Sequence, residues 1–235
     1  MAIPREKFKT YNNVFDNFTN RLLFKLEAAG YFERIVSTIA IGKEANVFCA
    51  IKKDGTYVAV KIYRLEVCDF NKMYYYLSSD PRYLNIKRRK REIIFTWAQR
   101  EYKNLLKFRA IGIRVPTPIY ITNNVLLLEF IGDNGFASRQ VRNDLTNMHE
   151  FFNKLVDYLK LLNNNNLVHG DLSEFNILNN NGDPVVIDCS QSTSLKDSFY
   201  NELWERDIKN ISRFFSKNGI DVDIEKLKQL IEYKN

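Results

Sequence analysis

Cysteine is scarce in this sequence, and long apolar runs are absent from it. The three cysteines, Cys49, Cys68 and Cys189, have no metal-binding spacing, and a sparse, odd number is typical of a reducing compartment. The first residues lack an apolar signal core, and no run reaches the ~18 apolar residues of a membrane helix. These absences argue against a secreted or membrane protein, and we expect a cytoplasmic one.

Acidic residues are fewer than basic ones. The 35 Lys and Arg against 28 Asp and Glu give a net charge of +7, and this excess favours a polyanionic partner or substrate. An apolar share of 45% is enough for a buried core, and 235 residues fit either two lobes or one large domain.

The most informative stretch places polar residues between short apolar runs. Asp171 is followed five residues later by Asn176 and seventeen residues later by Asp188. Phosphoryl transfer needs a carboxylate near the acceptor and oxygen ligands for a metal, and Mg²⁺ prefers hard oxygen ligands. The set therefore predicts a loop that holds Mg²⁺ against a nucleoside triphosphate. The alternative is an Asx-rich turn between two strands, because Asp and Asn are common turn formers.

This stretch departs from the H-R-D-x-x-x-x-N and D-F-G pattern of protein kinases at two places. Gly170 stands at the arginine position, and Asp188 is followed by Cys189 and Ser190. Only 47 residues follow Asp188, without an A-P-E segment. They leave no long helical region of the kind that builds a peptide-substrate groove.

A lysine lies among apolar residues in the strand-like segment 58–62. Burying Lys61 is costly unless it has a partner, and Glu101, in the helical segment 92–108, is the candidate. In kinases such a pair holds the α- and β-phosphates. The alternatives are a surface lysine on an edge strand and an exposed helix glutamate.

Strand-like segments at 35–50 and 57–64 are joined by a turn with an Asp-Gly pair. Residues 41–47 lie where a nucleotide-covering loop should be, but they contain only one glycine, and an ordinary hairpin turn is the alternative. The buried strand 125–132 runs into a glycine, as an interlobe hinge would. By position alone, the backbone of Glu129 and Ile131 is assigned to an adenine edge.

Helical periodicity is predicted elsewhere, at 1–35 with Gly30 as the stop, and at 147–162, 202–215 and 224–233. Residues 66–92 break the pattern and contain the basic run 87–91. Such a run is usually a solvated face, with contact to RNA phosphates as the alternative.

With these pieces in order, the sequence resembles the RIO family of atypical serine/threonine protein kinases, most closely its Rio-one branch. The matches span residues 35 to 215, and the most specific are Gly-Lys-Glu-Ala-Asn-Val at 42–47 and Leu-Ser-Glu-Phe-Asn-Ile-Leu at 172–178. Further matches are Val58 to Tyr63, Asp80-Pro81-Arg82, Trp97 with Glu101 and Asn104, Val115-Pro116 with Pro118, Glu129 to Gly132, His169-Gly170-Asp171, and Ile187-Asp188 with Ser190-Gln191-Ser192.

The resemblance implies an α+β architecture, a trimmed two-lobed protein-kinase-like fold without an activation segment or peptide-binding subdomains. Its N-lobe is an antiparallel sheet plus a helix, and its C-lobe is mostly helical. The expected parts are an N-terminal helical extension at 1–34, the N-lobe at 35–131 with a flexible insertion at about 66–90, and the C-lobe at 132–235 with the catalytic and metal-binding loops.

The resemblance also implies residue roles. Asp171 matches the catalytic aspartate, and Asn176 and Asp188 match the ligands of Mg²⁺ or Mn²⁺. Asp188 also matches an aspartate that carries a phosphoryl group in turn, as a 4-aspartylphosphate. The predicted ATP-binding residues are Lys43, Lys61, Glu101, Glu129 and Ile131.

One departure concerns the nucleotide-covering turn. The family usually places Ser-Thr directly before Gly-Lys-Glu-Ala, whereas Ala40 and Ile41 occupy those positions here. A hydroxyl ligand to the phosphates is therefore missing, and Lys43 and the backbone amides remain to serve.

We expect an autophosphorylating Mg·ATP-dependent kinase and ATPase that acts on the small ribosomal subunit precursor, both rRNA and proteins, with no DNA or membrane partner. The first alternative is a nucleotide-gated pre-ribosome binding factor with little turnover. The second, a small-molecule phosphotransferase, is disfavoured because the short tail after Asp188 leaves little chain for an acceptor pocket.

Overall fold

A five-stranded antiparallel sheet forms the N-terminal lobe of the computed structural model, which describes residues 15–66 and 68–232. The strand order is β1-β2-β3-β5-β4, so β3 lies at the centre of the sheet. The strands are β1 Arg34–Ile41, β2 Ala45–Ile51, β3 Tyr57–Tyr63, β4 Pro118–Thr122 and β5 Val125–Glu129.

Three helices accompany this sheet: α1 Asn17–Ala28, α2 Phe70–Ser79 and α3 Lys90–Ala110. Helix α1 begins at its N-cap Asp16, whose carboxylate accepts hydrogen bonds from the backbone N–H groups of Phe18 and Thr19, which satisfies two of the first unpaired donors. Helix α2 is capped in the same way by Asp69.

The central strand β3 directs alternate side chains to opposite faces of the sheet. Val58, Val60 and Ile62 pack in one buried cluster with Leu26 of α1. Ala59 belongs to a second cluster, which contains Leu105 and Phe108 of α3. Because Lys61 shares the parity of Ala59, its side chain lies on the α3 side of the sheet.

The C-terminal lobe is mostly helical, with α4 Met148–Asn164, α5 Tyr200–Lys217 and α6 Ile224–Glu232. Its core contains the buried aromatic rings of Phe151, Phe152 and Phe215, and the last two have centroids 4.9 Å apart. Seven short strands complete the lobe: β6 Gly132–Asp133, β7 Phe136–Ala137, β8 Arg139–Gln140, β9 Leu167–Val168, β10 Ile177–Asn180, β11 Asp183–Val186 and β12 Thr193–Ser194.

The hairpin of β10 and β11 brings two distant parts of the central stretch together. Its turn residues Asn181 and Gly182 both have positive φ, 57° and 88°, as a tight two-residue hairpin turn requires. The hairpin pairs Ile177 with Val186, and the N–H of Ile187 donates to the carbonyl of Asn176 at 3.0 Å. The residues after Asp171 and those before Asp188 are thereby held side by side.

The predicted fold class is confirmed, since a sheet-based N-lobe precedes a helical C-lobe. The segment 66–90, predicted as a flexible insertion, contains α2 at residues 70–79, which packs Met73 and Leu77 against α3. Its flexibility stays a prediction. The strand-like segment 35–50 is two strands rather than one, with the predicted alternative, a hairpin turn, at residues 42–44.

The helix predicted within 1–35 covers Asn17–Ala28, and residues 1–14 and 233–235 lie outside the described part of the chain. The proposed division between lobes at 131 and 132 stays a prediction. Within residues 15–66 and 68–232, no helix has the length and apolar character needed to cross a membrane.

Candidate active site

Lys61 of β3 lies between two carboxylates from different parts of the chain. Its Nζ is 2.7 Å from Oε1 of Glu101 on α3 and 3.0 Å from Oδ1 of Asp188. Burial, which leaves 7% of Lys61 exposed, would lower the pKa of the lysine, but Asp188 and Glu101 outweigh it and raise that pKa. Lys61 is therefore a buried cation, and the surface-lysine alternative does not fit.

Glu101 is held by a second group besides Lys61. The hydroxyl of Tyr63 donates to Oε2 of Glu101, and the glutamate is only 1% exposed. Burial raises the pKa of Glu101, while Lys61 opposes the rise. The exposed-glutamate alternative is thus wrong. Tyr63 lies two residues after Lys61, on the same face of β3, and that spacing could have indicated it.

Asp188 follows β11 in a left-handed conformation with φ 58° and begins a short 3₁₀ turn, Cys189–Gln191. Ser190 donates from Oγ to Oδ1 of Asp188 at 3.0 Å. Burial would raise the pKa of Asp188, but Lys61 and these hydrogen bonds outweigh it and lower the pKa below its usual value. The Asp188 side chain is 43% exposed, so part of it remains accessible to a ligand.

The loop before β10 brings Asp171 and Asn176 together. Nδ2 of Asn176 donates to the carbonyl of Asp171 at 2.8 Å and to its carboxylate at 3.1 Å. Among the described residues nothing donates to Oδ1 of Asn176. Burial raises the pKa of Asp171, and Asp188 adds to the rise, while His169 and Arg206 oppose it.

The donor set fits a hard cation. Within residues 15–66 and 68–232 there is no cluster of three or more His, Cys, Asp or Glu side chains that could hold a metal ion. Asp188 and the free amide oxygen of Asn176 offer two oxygen ligands instead. Mg²⁺ is commonly held by one or two protein ligands, with phosphate and water completing its shell.

A side chain of helix α5 fixes the backbone of the Asp171 loop. The carboxylate of Asp207 accepts hydrogen bonds from the N–H groups of Gly170 and Leu172, each at 2.7 Å. Burial raises the pKa of Asp207 to about 7, although those two donors and Arg206 oppose the rise. Arg206 donates to the carbonyl of Gly170 and, at 3.0 Å, to Oε1 of Gln191.

The glycine at the kinase arginine position has a structural cause. Gly170 has φ 84°, which favours glycine, and a Cβ there would lie 3.0 Å from the carbonyl oxygen of Gln191. Neighbouring His169 is fully buried, and burial lowers its pKa. As a neutral imidazole its Nε2 lies 3.0 Å from the carbonyl of Ile187, which joins the two loops again.

The predicted interlobe hinge, at the end of β5, is held by the side chain of Glu129. Arg114 donates to both carboxylate oxygens of Glu129, at 2.8 and 2.5 Å, and Thr117 adds its N–H and hydroxyl. The Glu129 N–H is also used, because it donates to the carbonyl of Thr117. The Ile131 carbonyl accepts from Ser138, and the Ile131 N–H has no partner in the described chain. The Ile131 N–H is therefore free to donate to a nucleobase, whereas the Glu129 N–H is not.

Lys43 is not brought into this cluster. It is exposed in the turn between β1 and β2, and its side chain has no hydrogen bond or ion pair with the described residues. Glu44, which the sequence did not single out, is partly buried, and burial together with nearby Asp188 raises its pKa. Gly42 is required here because a Cβ would lie 2.8 Å from the Ala45 carbonyl oxygen.

The protein has a protein-kinase-like fold. A buried Lys–Glu pair lies on an antiparallel N-lobe sheet, and it faces an Asp–Asn loop and a second aspartate of a helical lobe. The family model of the RIO domain matches residues 46–227. The chain therefore belongs to the RIO family of serine/threonine kinases, in its Rio1 branch.

Curated relatives agree with this membership. The RIO-type serine/threonine-protein kinase Rio1 of Haloferax volcanii is 36% identical over 229 residues, covering 96% of this chain and 78% of its own length. The Rio1 of Methanocaldococcus jannaschii is 37% identical over 232 residues, covering 97% and 79%. Human RIO1 is 31% identical over 219 residues, which is 91% of this chain but 39% of the human protein.

A solved structure shows the same fold. The Rio2 kinase of Chaetomium thermophilum, in an ADP/Mg²⁺-phosphoaspartate complex, superposes with a TM-score of 0.66 at 21% identity, covering 91% of this chain and 66% of the other.

Proposed function

We propose that this chain is a Mg²⁺-dependent, ATP-using serine/threonine kinase that autophosphorylates, also hydrolyses ATP and acts in maturation of the small ribosomal subunit. The observation that carries the proposal is Lys61 held between Glu101 and Asp188. Asp188 is in turn tied to the Asp171 loop through the bond from the Ile187 N–H to the Asn176 carbonyl. One contiguous set of groups thus joins phosphate binding, metal binding and the acceptor side.

The chain's own residues divide the work. Lys61, kept charged by its two carboxylates, binds phosphate oxygens and positions the triphosphate. Asn176 and Asp188 hold Mg²⁺, which when bound neutralises charge on the phosphoryl oxygens. Asp171 receives the proton of an acceptor hydroxyl as the hydroxyl oxygen bonds to the γ-phosphorus and ADP leaves.

Hydrolysis uses Asp188 as a transient acceptor. An oxygen of its carboxylate bonds to the γ-phosphorus, the bond from phosphorus to the β–γ bridging oxygen breaks, and ADP leaves with the electron pair. Water then cleaves the acyl phosphate and regenerates the carboxylate. The exposed part of Asp188 and the phosphoaspartate in the Chaetomium thermophilum Rio2 complex support this route.

The partner is proposed from the family and from charge. A net charge of +7 suits the rRNA and proteins of the small ribosomal subunit precursor, which we place in the cytoplasm. Mn²⁺ would use the same oxygen ligands. The second candidate, a nucleotide-gated binding factor, has the same site but little turnover.

The test is trapping of label from γ-labelled ATP with Mg²⁺, followed by hydroxylamine treatment. We expect a hydroxylamine-labile aspartyl phosphate that is lost in Asp188→Asn and kept in Asp183→Asn, a control at an exposed aspartate bound to Lys154. We also expect acid-stable label on serine from autophosphorylation. Tight ATP binding with neither label would contradict catalysis and leave the binding factor, and binding to small-subunit precursors would then be the measurement.

A further inference from the structure

A buried charge cluster joins the inserted segment 66–90 to helix α3. Asp80, only 1% exposed, lies between two arginines. Arg82 donates from Nε to both carboxylate oxygens at 2.9 Å, and a terminal nitrogen of the fully buried Arg100 lies 3.4 Å from Oδ2. Burial would raise the pKa of Asp80, but Arg82 outweighs it and lowers that pKa. The carboxylate is therefore ionised and holds both guanidinium groups.

The same cluster contacts the loop that begins at Asp188, here called the metal loop, residues 188–192. Asn104 of α3 donates from Nδ2 to the carbonyls of Cys189 and Ser192, both at 2.8 Å. The Arg100 guanidinium donates to the carbonyls of Gln191 and Ser192 at 3.4 and 3.3 Å.

Arg82 of the insertion also contacts both α3 and the metal loop. It donates to Oδ1 of Asn104 at 3.1 Å and to the Ser192 carbonyl at 3.4 Å. Arg100 also donates to the carbonyl of Tyr76, near the end of α2, at 3.0 Å. The carbonyls of Cys189, Gln191 and Ser192 are therefore fixed by a cluster in which Asp80 of the insertion is the carboxylate that bonds to the arginines.

The metal loop begins at a residue whose backbone lies in the left-handed region. Asp188 has φ 58°, a strained value for a residue other than glycine. The direction of its carboxylate depends on where the following turn, Cys189–Gln191, is held. A change in the position of Arg82 or Arg100 would move that turn, and Asp188 with it.

We propose that Asp80 is a positioning residue for the metal site: through Arg82 and Arg100 it fixes the carbonyls of Gln191 and Ser192, and through the Arg82 bond to Asn104 it supports the contact to Cys189, and so aims Asp188. Docking of the insertion thereby sets the affinity of the site for the nucleotide-bound cation. This inference rests on the proposed role of Asp188 as a metal ligand.

The test is calorimetry of ADP binding to the whole chain with and without Mg²⁺. In Asp80→Asn we expect metal-free ADP binding to be retained and the gain from added Mg²⁺ to fall by about tenfold or more, as is typical when groups that orient metal ligands are changed. Arg88→Gln is the matched control, because Arg88 lies in the same insertion and bonds to Asn71 rather than to the metal loop. Its Mg²⁺ gain should equal that of the wild type.

A purely structural role predicts a different result. Asp80→Asn would then lower the melting temperature while leaving the Mg²⁺ gain unchanged, and this outcome would overturn the inference. Should Asp80→Asn not fold, Arg82→Met, at a more accessible position, replaces it. The gain in ADP affinity from Mg²⁺ should fall in this variant too, and an unchanged gain would overturn the inference. Absence of any Mg²⁺ gain in the wild type would overturn the proposed function as well, whereas a wild-type gain kept in both variants would overturn only the positioning role.

Discussion

At the scale of single residues, the site depends on charges that are buried with partners. Lys61 is a buried cation because Glu101 and Asp188 both lie within 3.0 Å. Removing one member of such a cluster leaves an uncompensated charge, which costs more free energy than the intact pair contributes. Effects on folding and effects on nucleotide binding must therefore be separated at this position.

Lys61→Met should weaken ATP binding by roughly 10- to 100-fold, because a hydrogen bond to a charged group is worth ~1.5–3 kcal/mol. Lys43→Met should change the affinity by less than about fivefold, since an exposed ion pair is worth ~1 kcal/mol or less. Calorimetric titration measures both variants.

The double variant Lys61→Met/Glu101→Gln separates stability from binding. It should recover much of the unfolding free energy lost in Lys61→Met, because the fully buried Glu101 charge is removed with its partner and the remaining carboxylate, Asp188, is 43% exposed, but the weak ATP binding should persist. Restored affinity in the double variant would show that Lys61 acts only through folding.

Asp207 should stabilise the fold by anchoring the backbone of the Asp171 loop. In Asp207→Asn one of the two N–H groups, of Gly170 or Leu172, meets an amide donor and loses its acceptor, which should lower the unfolding free energy by ~1–3 kcal/mol. Urea denaturation measures this difference. Glu205→Gln, on the same helix and paired only at the surface with Lys228, should leave stability within about 0.5 kcal/mol, and an equal loss in both variants would contradict the anchoring role of Asp207.

At the scale of elements, short local patterns predicted most of what the structure contains. The strand with Lys61, the helix with Glu101 and the loop with Asp171 and Asn176 are continuous in sequence, so spacing and chemistry reveal them. The contact of Asp207 with Gly170 spans 37 residues and leaves only an indirect signal. That signal is an aspartate at helical spacing between Leu203 and Ile211, on the buried face of α5.

Helix α2 can also be predicted from its own sequence. Asp69 is a suitable N-cap, and Met73 and Leu77 are four residues apart, the spacing of one helix face. The use of the Glu129 N–H by Thr117 was not predictable, because it depends on where the chain folds back beside the hinge.

The contribution of Glu129 at the hinge to the stability of the fold should depend on pH. Arg114 and Thr117 lower the pKa of Glu129 to about 2, below the usual value of 4.5, so the carboxylate stabilises the fold above pH 4.5 and loses this contribution as the pH falls towards 2. Glu129→Gln should therefore be less stable than the wild type at pH 7, by about 1 kcal/mol or less after solvent screening. The difference should vanish near pH 2. Urea denaturation at several pH values measures it, and a difference that grows on acidification would contradict the Arg114 pairing.

At the scale of the whole molecule, the two lobes meet through the site itself. The ion pair of Lys61 with Asp188 links the central strand of the N-lobe to the metal loop of the C-lobe, and a ligand bound between them stabilises both lobes. Mg·ADP at 100 times its dissociation constant should raise the unfolding free energy by ~2.7 kcal/mol. Thermal denaturation with ADP, with and without Mg²⁺, measures the effect. The part due to Mg²⁺ should be lost in Asp188→Asn, and its persistence would contradict the metal assignment.

We propose that Asp171 performs the acceptor-side chemistry beside a site that binds nucleotide without it. The direct measurement is single-turnover transfer from γ-labelled ATP with Mg²⁺, in the wild type and in Asp171→Asn, with ADP affinity measured on the same samples. We predict equal affinity and transfer that is slower in the variant by at least about 100-fold, the range of general-base catalysis. Equal transfer rates in the two proteins would contradict this role of Asp171.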